Sequence, residues 1–146
     1  MIWQKDGFII STEKRFLDEQ VIHQFLSNES YWAKGISREE VSKAIHHSSI
    51  CFGMFEGNPE EGNAKQVGFA RFVTDFVRFA YLMDVFIIPE YRGIGLSKWL
   101  MKTITEDSEL KNVNQLLLAT ADAHGLYSQF GFKAIDEPDK YMRRRI

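Results

Sequence analysis

Cysteine is nearly absent. Cys51 is the only one among 146 residues, which excludes an internal disulfide framework and fits a reducing compartment. An excess of one charge is missing too: 18 Lys and Arg against 20 Asp and Glu leave a formal net charge of −2. Phosphate-rich partners usually call for a basic surplus, so nucleic acid is not expected as the main partner. No apolar run approaches the ~20 residues of a membrane-spanning helix. The opening Met1-Ile-Trp-Gln-Lys-Asp lacks the charged and then apolar regions of a signal peptide. A soluble, cytoplasmic protein is the expectation. Nothing repeats and no low-complexity linker divides the chain, so residues 1–146 are expected to form one domain. His23, His46 and His47 stand at no ligand spacing with an acid or cysteine, and no metal site is expected.

What the chain does contain is a globular balance, 45% hydrophobic and 26% charged. Most of its twelve phenylalanines are assigned to the core. Cys51 lies in the apolar run Ile50-Cys51-Phe52 and reads as a small buried residue rather than a nucleophile. Arg143 to Arg145, the only basic run, reads as the exposed face of a last strand.

Hydrophobic periodicity orders the chain. A strand is expected over Gly7 to Ser11. Leu17, Val21, Ile22, Phe25 and Leu26 then recur at helical spacing from about Asp18. Ser27 to Gly35 reads as a loop carrying Tyr31 and Trp32, and Ser37-Arg-Glu-Glu40 is a capping box opening a second helix over Arg38 to His47. Ser49 to Phe55 and Gln66 to Thr74 read as strands joined by a polar hairpin loop. A fourth strand, Phe79 to Ile88, stops at Pro89, which has no N–H for a ladder. A third helix follows through Leu96, Trp99, Leu100 and Ile104, then a fifth strand over Gln115 to Ala119. Asp122 is placed to cap a fourth helix running through Phe130, with Gly131 as its stop. Phe132 to Ile135 and Lys140 to Arg144 read as closing strands. This order predicts an α/β sheet with one central helix crossing.

The stretch richest in chemistry is Arg92-Gly93-Ile94-Gly95-Leu96-Ser97, between the fourth strand and the third helix. Glycines let a backbone approach a ligand, and the first turn of a helix offers unpaired N–H groups suited to phosphate. A Walker loop, Gly-x4-Gly-Lys-Ser/Thr, is absent. A dinucleotide fingerprint lacks its third glycine, near whose place Trp99 stands. Alone, the glycine pair is equally compatible with a tight turn that binds nothing.

A second pattern stands about thirty residues on. Ala123, Leu126, Tyr127, Gly131 and Phe132 match Ala-x-x-Leu-Tyr-x-x-x-Gly-Phe, and Arg92, Gly95 and Ser97 match Arg/Gln-x-x-Gly-x-Gly/Ala. In this order, with a helix and a strand between them, the two motifs resemble the Gcn5-related N-acetyltransferase (GNAT) superfamily across roughly residues 79 to 135. Ser97 replaces the usual Gly or Ala. Thr120 stands where an asparagine is common, seven residues before the motif tyrosine.

The resemblance implies a mixed α/β (α+β), mostly antiparallel twisted sheet with helices on both faces. Its fourth and fifth strands would splay to form a cofactor cleft. It implies acetyl-CoA as the donor, with pyrophosphate on the amides of Arg92, Gly93, Ile94, Gly95, Leu96 and Ser97. Pantetheine would pair with the backbone of Val85, Phe86 and Ile87. Lys98 or Lys102 would reach a nucleotide phosphate or simply solvate the helix, and Thr120 would offer a polar contact. Tyr127 occupies the general-acid position, close to the thiolate that must leave. An amine acceptor with a pKa near ~10 must lose a proton before it attacks. Asp84, a carboxylate inside an apolar strand, is the candidate base, or else binds the ammonium or orients a loop. The run Tyr81-Leu-Met-Asp-Val-Phe is also similar to polyamine acetyltransferases, but Met83 replaces the first of their two acids. Tyr31, Trp32 and His124 are candidate acceptor contacts, and Asp75-Phe76 would border the same cleft. The function so implied is direct acetyl transfer to a primary amine, of a small molecule or of a protein. A non-catalytic acyl-CoA-binding module is the alternative. A homodimer is expected from the resemblance alone.

Overall fold

A computed structural model describes residues 1–146. Strand β1, Ile2–Lys5, pairs antiparallel with β2, Phe8–Ser11, through an Asp6-Gly7 turn whose φ angles are 52° and 85°. Two successive positive φ angles are those of a type I′ hairpin, for which Asp-Gly is a preferred pair. Strand β1 lies ahead of the first strand expected from the sequence, which starts at Gly7, although this dipeptide is its local signature.

Helix α1, Glu19–Asn28, starts where expected, because the Asp18 carboxylate accepts from the N–H groups of Gln20 and Val21. Helix α2, Arg38–His46, has both bonds of the expected capping box between Ser37 and Glu40. Strands β3, Ile50–Glu56, β4, Lys65–Thr74, and β5, Ala80–Ile87, follow as a meander. Helix α3, Leu96–Glu106, crosses to β6, Leu116–Leu117, and α4, His124–Ser128, comes last.

The six strands lie in chain order, antiparallel except for β5 and β6, which are parallel. Helix α3 is the crossover that a parallel pair requires. Strand alternation divides the core between two faces. Ile50, Phe52, Met54 and Phe72 pack with Leu100, Met101 and Ile104 of α3, while Cys51, Phe69 and Phe86 pack with Ile22, Phe25 and Val41 of α1 and α2. Cys51 is buried, as read from its neighbours. No helix is long and apolar enough to cross a membrane.

The end of the chain departs from expectation. Strand β6 is two residues long where Gln115 to Ala119 was read. Helix α4 spans His124–Ser128 rather than Asp122 to Phe130, and its opening turn is held by the Thr120 hydroxyl, which accepts from Asp122 and Ala123 N–H, not by Asp122. Gly131, at φ 88°, ends it as expected. Neither closing strand forms. Pro138 opens a short 3-10 turn to Lys140, and two-residue β6 offers no ladder on which the alternating residues beyond it could extend. Arg143 to Arg145 are exposed, but not on a strand.

Candidate functional site

Strands β5 and β6 pair only at Ala80 with Leu116 and Tyr81 with Leu117, then separate. With the N-terminal hairpin counted, these are the fourth and fifth strands of the sequence reading. Beyond Tyr81, β5 presents a free edge along Leu82 to Ile87. The N–H of Ile88 donates to Val67 of β4, so by alternation the backbone groups of Ile87 and Val85 face the gap. The Ile87 carbonyl is already taken by Arg92 Nε at 2.9 Å. Between the splayed strands lies a cavity of about 740 Å³.

One end of the cavity is the glycine turn. Gly93 and Gly95 have φ of 85° and 86°, a region that costs other L-residues roughly 1–2 kcal/mol. A Cβ at either position would meet nothing within 4 Å, so the constraint there is conformational rather than steric. The Arg92 N–H, expected among the phosphate donors, donates instead to the Pro89 carbonyl at 3.2 Å. The backbone N–H groups from Gly93 to Lys98 donate to no acceptor in the protein; the first helical bond is Trp99 N–H to the Gly95 carbonyl. These unengaged donors and the positive end of α3 together favour an anion. Tyr91, whose hydroxyl donates to Glu56 at 2.6 Å, anchors the approach to this turn on β3.

The other end is acidic and aromatic. The charged residues on the cavity wall are Glu29, Asp84, Asp122 and Arg92, and no lysine or histidine joins them. Asp84 has φ 56°, a left-handed conformation rare inside a strand. It lies where the β4–β5 register shifts: Phe69 opposes Phe86, yet Arg71 opposes Met83. That bulge turns Asp84 out of the ladder. Its Oδ2 accepts from Arg71 Nε at 2.6 Å and its Oδ1 from Trp32 Nε1 at 2.8 Å. The side chains of Arg71 and Asp84 are 14% and 10% exposed, so this ion pair is largely shielded from water. A strained residue of this type costs of order 1–3 kcal/mol and persists only when its surroundings over-determine it. Here an ion pair and an indole do so.

Tyr31 and Trp32 meet edge to face at 5.1 Å, and the Tyr31 hydroxyl accepts from Ala121 N–H at 2.8 Å. The loop after α1 is thus tied to β5 by one aromatic residue and to the segment following β6 by the other. Tyr127 also lines the cavity. Burial, with lesser effects from Tyr31 and Asp122, pushes its phenol up to about 12.

Most residues singled out in the sequence converge on this one space: Tyr31, Trp32, Asp84, Val85, Phe86, Ile87, Arg92, Gly93, Gly95, Leu96, Ser97, Thr120 and Tyr127. Ile94, Lys98 and His124 do not line it, and all three are exposed. Ile94 contributes only its N–H to the amide run. Lys98 and His124 are exposed to solvent, His124 even though it stands one helical turn before Tyr127. Asp75 and Phe76 are also outside it. Asp75 Oδ1 accepts from Val77, Arg78 and Phe79 N–H and closes the β4–β5 turn, bonds that hold its carboxyl below the usual range.

Sequence reasoning missed Arg71, Glu29, Tyr81 and Asp122 as parts of the site or its support. Arg71 did carry a signal, being a lone charge in the apolar run Gly68-Phe-Ala-Arg-Phe-Val, as Asp84 is in its own strand. Two opposite lone charges on adjacent strands invite a pairing.

Known proteins carry the same organisation. Residues 49–134 match the profile of the acetyltransferase (GNAT) domain family. A solved structure of a Xanthomonas campestris protein, described as a candidate acetyltransferase of the GNAT family, is 40% identical and superposes with a TM-score of 0.87 over 98% of this chain and 96% of that one. A Gibberella zeae protein named as a candidate acetyltransferase is 29% identical over 94% of this chain and 85% of its own length. Serotonin N-acetyltransferase 2 of rice, a chloroplastic protein, is 25% identical over 86% of this chain, which spans 62% of its length. With its split sheet, its glycine turn and these relatives, the chain belongs to the GNAT family of N-acetyltransferases.

Proposed function

We propose that this chain transfers an acetyl group from acetyl-CoA directly to a primary amine of a small molecule. One observation carries the reading: a single cavity joins a run of unengaged amides to a shielded phenol and to an acidic, aromatic end.

The residues present fit coenzyme A. The N–H groups from Gly93 to Lys98 suit a pyrophosphate, and the open edge of β5 at Val85 suits an extended amide-bearing arm. When bound, acetyl-CoA supplies an activated acetyl thioester. Tyr127 holds its proton throughout the neutral range, so its Oη is a donor there and not a base. Full proton transfer to a simple thiolate, pKa near ~8.5, is uphill from such a phenol. Tyr127 therefore acts mainly as a hydrogen-bond donor to the leaving sulfur. Glu29 and Asp122 on the cavity wall favour an ammonium, while the charge of Asp84 is already met by Arg71. Both oxygens of Asp84 already accept bonds, which supports its role as anchor and counter-charge over that of a free base. The amine then loses its proton to solvent. Cys51 is buried outside the cavity, and burial pushes its thiol up, which supports direct transfer without an acyl-enzyme.

The test is thiol release from acetyl-CoA across a panel of small primary amines and lysine peptides. Saturable turnover with a small amine is the expected result. Saturation by peptides alone would replace the small molecule with a protein acceptor. Binding of acetyl-CoA without turnover on any acceptor would leave a non-catalytic module.

A further inference from the structure

Asp84 and Trp32 are held from outside the cleft. Arg71 does not line the cavity; it lies on the sheet face covered by α1 and α2. Its guanidinium is engaged on three sides: Nε donates to Asp84, one terminal nitrogen to Ser48 Oγ at 3.3 Å, and the other reaches Met83 Sδ at 3.6 Å. Ser48 is itself fixed, donating to the Ala44 carbonyl at the end of α2. The Asp84 carboxylate can therefore take few orientations, and its second oxygen meets the Trp32 indole N–H. Trp32 is otherwise 44% exposed, in a loop without regular structure. The loop backbone is held by Ala33 N–H to Ser30 Oγ and Gly35 N–H to the Ser27 carbonyl, and the Trp32 ring lies 6.3 Å from that of Phe25. The bond to Asp84 is nevertheless the indole's one hydrogen bond and fixes how it faces the acceptor side. Through its contact with Tyr31, which is bonded to Ala121, the same bond ties the loop across both lips of the split sheet.

We propose that Arg71 is a positioning residue for the acceptor. From behind β5 it fixes Asp84, Asp84 fixes Trp32, and the tethered Tyr31–Trp32 loop limits the acceptor end to small amines. The inference rests on the amine-acetyltransferase reading above and adds the device that sets its acceptor size.

The experiment compares Arg71→Gln, Arg71→Lys and Trp32→Phe with the unmodified chain. Trp32→Phe keeps an aromatic ring, though a smaller one, loses the indole N–H donor and leaves the Arg71–Asp84 ion pair in place. Arg71→Gln and Trp32→Phe are each expected to raise KM for the preferred small amine about tenfold. The dissociation constant of acetyl-CoA should stay within twofold, and the disadvantage of bulkier amines should shrink. Arg71→Lys, which keeps a cation for Asp84, should recover most of the loss. Apart from activity, acrylamide quenching of tryptophan fluorescence should rise in Arg71→Gln, as Trp32 is released. Trp32→Phe then serves to isolate the signal of Trp3 and Trp99. Acetyl-CoA-dependent turnover by the unmodified chain is measured first, and without it the enzymatic reading fails and takes this inference with it. With turnover present, an amine KM within twofold of the unmodified chain in both Arg71→Gln and Trp32→Phe overturns the inference alone. Unchanged quenching in a folded Arg71→Gln does the same.

Discussion

Two single residues, Tyr127 and Gly95, carry the proposed chemistry in testable form. A phenol raised to about 12 by burial is neutral wherever the enzyme would work, so the acceptor amine rather than Tyr127 should govern the pH–rate profile. Turnover is expected to climb from pH 7 to about 9, with no loss attributable to Tyr127 below about pH 10. Tyr127→Phe should lower kcat by about 10²-fold, the lower end for loss of one hydrogen-bond donor to developing charge, and leave acetyl-CoA affinity within twofold. A large affinity loss in a titration would instead make Tyr127 structural. The same shift is a statement about stability. The folded state keeps its proton to higher pH than the unfolded chain, so the stability it contributes is complete below about pH 10 and is lost as pH rises toward about 12. Urea unfolding of Tyr127→Phe over that window should fall less steeply than that of the unmodified chain. At Gly95 a side chain would meet open space at an unfavourable φ of 86°. Gly95→Val should cost roughly 1–2 kcal/mol of stability and weaken acetyl-CoA binding at least tenfold, because the added branch enters the space in front of the amides. Calorimetric titration separates the two effects.

Among the elements, β5 decides the site. Its outer edge is free because β6 leaves it after two residues, and its inner edge is bulged at Asp84. On that inner side β4 comes close: a Cβ on Gly68 would lie 2.7 Å from Ile87 Cδ1 and 3.2 Å from the Phe86 carbonyl oxygen. Ile87 can swing aside, but the backbone oxygen cannot. Gly68→Ala should therefore lower stability by about 1–3 kcal/mol, as overpacked core sites do, measured by denaturant midpoint at constant m value. Helices α1 and α2 were legible because their signals are local. Asp18, and Ser37 with Glu40, cap helices within three residues of themselves, and the Asp6-Gly7 turn was equally local though overlooked. Lys140 to Arg144 misled for the opposite reason. Alternation gives a strand its face, but only a neighbouring ladder makes it a strand, and no stretch of sequence announces that β6 stops at two residues.

For the molecule as a whole, ligand binding is linked to folding. A ligand at a hundred times its dissociation constant adds ~2.7 kcal/mol. For a domain of this size that should raise the unfolding midpoint by about 8 °C. Acetyl-CoA is expected to produce such a rise, and ATP and NAD are not. A rise with either nucleotide alone would count against the proposed cofactor. The exposed amide run and the cavity belong to the same cleft, so a pantetheine fragment without the nucleotide should give a smaller rise than the whole cofactor.

Residues close together in the chain were enough to determine the glycine turn, the tyrosine motif, the caps of α1 and α2 and the family to which they belong. A left-handed glycine before a helix, or a capping carboxylate, works within one turn of backbone and is written in consecutive letters. Only the tertiary structure decided that β5 and β6 part after two pairs, that Arg71 meets Asp84 across a bulge, and that Tyr31 reaches Ala121, 90 residues away. Each of these depends on register, and one residue of slip carries a side chain to the opposite face of the sheet. The lone charge at Asp84 marked a place where something had to compensate, and the fold supplied the arginine that does so.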